Sequence, residues 1–160
     1  GTSIYYRLER IFNWRNGSGL QLENAMAAIG SAGIFGHGYN KTPIYFPESS
    51  TDFIFAVFAS NFGFIGVLVL LGIIIYLDIN IIKLTRKKIE DTDKFIVAGI
   101  LGMLIFQQIQ NIGMTVGLLP ITGITLPFVS YGGSSLLSYM LMVGIIINIS
   151  LKKDRTYKYR

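Results

Sequence analysis

The sequence predicts an all-α polytopic membrane protein with three transmembrane helices and an extracytoplasmic loop bearing an amphipathic helix. Composition is the first reason: of 160 residues, 51% are hydrophobic and 14% charged, where a soluble domain carries roughly 25% charged. The second is three apolar runs, each near the roughly 20 residues that cross about 30 Å of hydrocarbon. The third is the grouping of Lys and Arg beside particular ends of those runs. There is no cysteine and one histidine, His37, so disulfides, thiol catalysis and Cys- or His-built metal sites are excluded.

The first run is Phe53 to Leu77, broken only by Ser60 and Asn61. The second extends from Phe95 to about Gly117, with Gln107, Gln108, Gln110 and Asn111 in its outer part. The third is Leu136 to Leu151, extended backwards by Phe128 and Val129 through Ser130-Tyr131-Gly132-Gly133-Ser134-Ser135. All three are expected as helices, because an open sheet edge leaves backbone groups unsatisfied in lipid. Lys83, Arg86, Lys87, Lys88 and Lys94 follow the first run, and Lys152, Lys153, Arg155, Lys158 and Arg160 follow the third. The positive-inside rule puts both segments, and the C-terminus, in the cytoplasm. Residues 1–52 then form an outer loop, 53–151 the membrane region and 152–160 a basic tail.

Within the loop, Gln21 to Phe35 has an apolar stripe at Leu22, Ala25, Met26, Ala28 and Ile29, the pattern of a helix lying against the membrane surface. Gly33, Gly36 and Gly38 stop it. Pro43 and Pro47 punctuate an extended stretch into the first span. Trp14, Tyr39, Tyr45 and Phe46 are interface anchors. Because the chain starts at Gly1 in a polar stretch, it is expected to be a piece of a longer protein.

Asp52 is the foremost candidate for chemistry. It stands where a membrane helix begins, and two jobs compete for it: capping that helix, or acting as a general base at the outer boundary, where partial burial tunes a carboxylate. Glu48 offers a second carboxylate or merely a solvated one. Gln107, Gln108, Gln110 and Asn111 must face protein or a wet cavity; they serve either as interhelical glue or as headgroup ligands. The turn containing Ser130, Gly132, Gly133 and Ser134 offers N–H groups and hydroxyls at a helix start, suited to an anion or to close packing. Lys41, Arg7, Arg10 and Arg15 are cations available to a pyrophosphate or to lipid headgroups.

Two long stretches then become familiar. Phe46-Pro47-Glu48-Ser49-Ser50-Thr51-Asp52-Phe53-Ile54-Phe55-Ala56-Val57 with Gly63-Phe64-Ile65-Gly66 is one, and Asn111-Ile112-Gly113-Met114 with Gly117 through Ser135 is the other. In order and content they resemble the SEDS family of bacterial cell-shape and division proteins, with Ala28-Ile29-Gly30-Ser31 and Gly33 fitting the preceding loop. The resemblance covers about Gly19 to Leu151. It implies the C-terminal part of a ten-helix fold in a bacterial plasma membrane. Family members polymerise the lipid-linked disaccharide-peptide lipid II into glycan strands beside a class B penicillin-binding protein. Met114 and Thr122 suggest the elongation branch, RodA, over the division branch, FtsW.

By resemblance Asp52 is the family's essential acid; Glu48, Lys41, Gln107, Gln110, Ser130, Gly132, Gly133 and Ser134 are expected, from their own chemistry, to shape the substrate-binding cavity. Membrane lipids and the penicillin-binding protein are the expected partners. No nucleic acid and no firm cofactor are implied, beyond a divalent cation at the pyrophosphate. The sequence departs from the family at Ser60-Asn61, where two glutamates are usual, at Ala32, where Gly is usual, and at Asn24-Ala25, where Gln-Ser is usual. The first departure favours a non-catalytic scaffold that recruits the penicillin-binding protein. A lipid II flippase using the buried amides is the other rival.

Overall fold

The computed structural model describes residues 20–39, 41, 51–85 and 90–158, with 85 and 152–158 as backbone alone. Glu48, Arg7, Arg10, Arg15, Trp14, Tyr45 and Phe46 lie outside the described residues. Among those described there are four helices and no strand: α1 (Leu20–Ser31), α2 (Ile54–Thr85), α3 (Asp91–Thr115) and α4 (Gly133–Lys158). Three are long and apolar enough to cross a membrane, over Ile54–Leu84, Asp91–Thr115 and Gly133–Leu151. The chain is therefore an all-α, multi-pass membrane protein, as its composition leads one to expect.

The first span is not one rod. Gly63 interrupts α2 with φ 65° and ψ −163°, a region essentially closed to side-chain-bearing residues. A straight helix would separate Phe55 from Leu70 by about 22 Å, yet both join Leu126 in one buried cluster. The chain thus bends sharply between an outer segment, 54–62, and a longer one from 64 onward. Residues 64–84 alone would extend about 30 Å, a full crossing. The helix also runs past Leu77, where the apolar reading stops it. Asn80 returns its amide to Tyr76 O at 2.7 Å, and Asp78 Oδ1 accepts from Gln108 Nε2 at 3.3 Å. Both polar groups are thereby accommodated inside the helix.

The interruption at Gly63 frees the last carbonyls of one segment and the first amides of the next, and buried groups of that kind must find partners. The glycine-rich loop after α1 supplies them. His37 N donates to Ser60 O at 2.9 Å and Gly38 N to Asn61 O at 3.0 Å. In return, Phe64 N donates to Gly33 O at 3.1 Å and Ile65 N to Ile34 O at 3.2 Å. Gly33, Gly36 and Gly38 all have positive φ, so the glycines that read as helix stops form one half of a backbone clasp. Ser60 and Asn61, at the family's usual glutamate positions, are both buried beneath it.

α1 directs its stripe at protein. Leu22, Ala25 and Ala28 are buried, while Met26 is largely exposed. Ala25 and Ala28 pack with Phe53 and Ala56, joined by Ile29, Val57 and Ile121. A Cβ on Gly117 would stand 3.2 Å from Met26 Sδ, so the helix also covers the end of α3. Elsewhere Ile81, Val97, Leu104, Tyr139 and Ile149 form a cluster shared by α2, α3 and α4. Large apolar residues such as Leu68, Ile73, Phe106 and Leu141 remain exposed, as lipid- or helix-facing surfaces do when the bilayer is the solvent.

Candidate functional site

Asp52 lies in the turn that leads into the outer segment of α2, next to buried Phe53. Its backbone is held from two directions. Asn111, fully buried near the end of α3, uses both protons of its amide: Nδ2 donates to Asp52 O and to Ile124 O, each at 2.8 Å. Ser130 Oγ donates to Thr51 O at 2.7 Å and accepts from Leu126 N at 2.7 Å. Two side chains thus lace the acid's turn to the 117–130 connection between α3 and α4. Gln110 strengthens that connection through Nε2 to Pro120 O at 3.0 Å. Replacing Asn111 by leucine should destabilise the complete protein by about 2–6 kcal/mol, since two carbonyls lose their donor at roughly 1–3 each. Thermal unfolding in detergent would measure it, and an unchanged midpoint would remove the clamp from the account.

The connection itself is shaped for the purpose. Phe128 has φ 62°, a conformation costly for a bulky residue. Its ring packs against that of Tyr139 at a tilt of 48° and a centroid separation of 5.2 Å, and Tyr139 OH meets Thr125 Oγ1 at 3.0 Å. Ser130 N donates to Leu126 O at 3.0 Å. The local strain turns Ser130 back toward Leu126 and Thr51, a type of backbone outlier that gathers at functional sites.

A groove of about 360 Å³ follows the outer segment of α2, which Asp52 precedes by two residues. Ile54, Val57, Phe58, Asn61 and Phe62 line it, the i, i+3, i+4, i+7, i+8 face of one helix. Val129, the neighbour of Ser130, contributes near Ile54, and Tyr39 near Asn61. Lys41 belongs to the far end: its backbone N donates to Gly38 O at 3.2 Å, and Gly38 is bonded to Asn61.

The remaining sequence candidates divide. Gln107 is half-buried, one turn from Asn111 on the same face of α3, and its Oε1 finds no hydrogen-bond partner among the described residues. Gly132, Gly133 and Ser134 form the start of α4, where Gly132 O accepts from Leu136 N and Ser135 Oγ. Gly133 and Ser134 are exposed. Gln108 belongs to Asp78 rather than to the groove. Sequence reasoning passes over Asp78, carries Gly63 and Gly123 only within longer motifs and without a role, and leaves Asn111 among four amides. An acid beyond the end of an apolar run and an isolated Gly inside one were the available signals. No group of three His, Cys, Asp or Glu that could hold a metal ion occurs among the described residues.

Comparison with known proteins fits this arrangement. The chain is similar to stage V sporulation protein E of Bacillus subtilis, 39% identical over 92% of the chain and 43% of the relative. It is similar to the probable peptidoglycan glycosyltransferase FtsW of Coxiella burnetii, 40% identical over 93% of the chain and 43% of the relative. Among solved structures it matches a chain from a peptidoglycan synthase complex with TM-score 0.73 and 29% identity, covering 91% of this chain and 43% of that one. It also matches the rod shape determining protein RodA of Thermus thermophilus, with TM-score 0.61 and 36% identity over 82% and 40% of the two chains. The chain thus spans less than half the length of these relatives. The family model for FtsW, RodA and SpoVE, described as cell cycle protein, matches residues 2–155, and the chain belongs to that SEDS family.

Proposed function

We propose that this chain forms the acid-bearing part of a membrane glycosyltransferase that polymerises lipid II into peptidoglycan strands for cell elongation, shape or division, with Asp52 as the general base. One observation carries the proposal: Asp52 stands at the entry to the outer segment of α2, its backbone turn pinned by Asn111 and Ser130 and its carboxylate beside the exposed Gly123. Relatives whose names include peptidoglycan glycosyltransferase support the reaction class.

The chemistry follows from the substrate. An acceptor sugar hydroxyl must lose its proton as its oxygen attacks the donor's anomeric carbon, and a carboxylate within hydrogen-bond reach takes it. The bond to the lipid pyrophosphate breaks with its electron pair, so the pyrophosphate leaves as an anion that nearby positive charge stabilises. Lys41, whose backbone N is bonded to Gly38 beside Asn61, is the described cation proposed for that role, with Glu48, Gln107 and residues 132–134 as further candidates for substrate contact. Gln110 and Ser130 act through the loop backbone they hold. A divalent cation at the pyrophosphate would add positive charge where the leaving group departs; no step is assigned to it.

A class B penicillin-binding protein is the proposed partner, supported by the match to a peptidoglycan synthase complex that coordinates polymerization and crosslinking. The basic tail faces the cytoplasm of a bacterial plasma membrane, by the placement of Lys and Arg. The deciding experiment is lipid II polymerisation by the complete protein, wild type beside Asp52→Asn, with glycan product resolved on a gel.

A further inference from the structure

We infer that Gly123 is a positioning residue for Asp52. The inference rests on the reading of Asp52 as the base and asks what fixes its carboxylate. Gly123 has φ +71°, and a Cβ built on it would lie 3.2 Å from Asp52 Oδ2. That approach is closer than ordinary van der Waals contact, so one of the two groups would have to give. The acid's backbone cannot retreat freely, because Asn111 holds Asp52 O and Ser130 holds Thr51 O. The connection carrying Gly123 cannot retreat either, since the same Asn111 holds Ile124 O. The adjustment then falls on the carboxyl group, which would have to shift by a few tenths of an ångström from the position it holds beside Gly123.

Gly123 is also exposed, as is Thr122 before it. Asp52 is itself part-exposed, and the backbone beside its Oδ2 bears no side chain. The missing Cβ leaves a gap on the side from which a hydroxyl can reach Oδ2. A residue here has two separate demands: the left-handed backbone, which Asn tolerates better than Ala, and the empty volume, which Asn satisfies less well than Ala. The two demands predict opposite orders of tolerance, so they can be told apart.

The test compares Gly123→Ala, Gly123→Asn and Asp52→Asn in the complete protein, reading kcat and KM for lipid II polymerisation and the thermal midpoint in detergent. Displacing a catalytic group by about 1 Å can lower a rate by up to about a hundredfold. We expect Gly123→Asn to lose at least about tenfold in kcat, with KM nearly unchanged and its midpoint above that of Gly123→Ala. If Gly123→Asn keeps the wild-type rate while Gly123→Ala loses rate only as it loses stability, glycine serves the backbone alone and the inference fails. Wild-type rates in both Gly123 variants would overturn it equally. Retained polymerisation by Asp52→Asn would instead overturn the underlying assignment of the base.

Discussion

Asp52→Asn in the complete protein should abolish detectable glycan polymer while leaving the amount of folded protein in the membrane unchanged. The first half follows from the role: losing a positioned general base lowers a rate by about a hundredfold to ten-thousandfold, and asparagine cannot accept the proton. The second half follows from the structure. Two of the bonds that hold the acid's turn are made by backbone carbonyls: Asn111 donates to Asp52 O and Ser130 to Thr51 O, and neither of these contacts involves the carboxylate. A residue whose essential duty is helix capping would behave differently, since asparagine caps about as well as aspartate and the variant would retain activity. Asp52→Glu discriminates further. It keeps the charge but moves it by about one methylene within a space bounded by Gly123, so a strong but incomplete loss is expected. A protein that only moves lipid II across the membrane would yield translocated headgroup and no polymer in either form. A scaffold would recruit its partner equally well with either residue.

Much of this architecture is legible in the residues alone, and the parts that are not share a cause. Span number follows from run length and hydropathy, which bilayer thickness converts directly into helices. The four amides from Gln107 to Asn111 announce themselves because lipid offers them no partner. Their division of labour is not legible: Gln108 meets Asp78 in the middle of the bundle, whereas Asn111 meets two loop carbonyls. Only the rotation of α3 against its neighbours decides which amide faces which. Gly63 is hidden for a similar reason. One glycine among Phe, Ile and Val reads as a tolerable helix residue, since its cost in a helix is only about 1 kcal/mol. The partner that makes it a break is the 33–38 loop, whose glycines read as the end of a different helix. Gly123 is the same kind of residue, meaningful only once Asp52, far away in sequence, is beside it.

The clasp at Gly63 carries the second large expectation. Gly63→Ala should open the contact between the 33–38 loop and α2 and lower the protein's stability by about 5 kcal/mol. Placing an alanine at φ 65°, ψ −163° costs about 1–3 kcal/mol by itself. The new Cβ would also collide with Gly36 N and Ile34 O, both backbone atoms that cannot rotate away as a flexible side chain can. Relief requires the two chains to separate, which surrenders four backbone hydrogen bonds at about 1 kcal/mol each. Gly36→Ala should act alike, because a Cβ there would meet Asn61 O and Gly63 N. Gly72→Ala is the matching control: the position is exposed on the same helix with no atom within 4 Å of its Cβ, so it should be neutral or gain up to about 1 kcal/mol. Amide exchange at His37, Gly38, Phe64 and Ile65 reads the clasp directly. It should accelerate in Gly63→Ala and Gly36→Ala and stay slow in Gly72→Ala. Equal protection in all three would mean that the loop is held by something other than these glycines. Since the clasp secures the far end of the segment that Asp52 begins, polymerisation should fall with it, and any residual rate should show the wild-type dependence on Asp52.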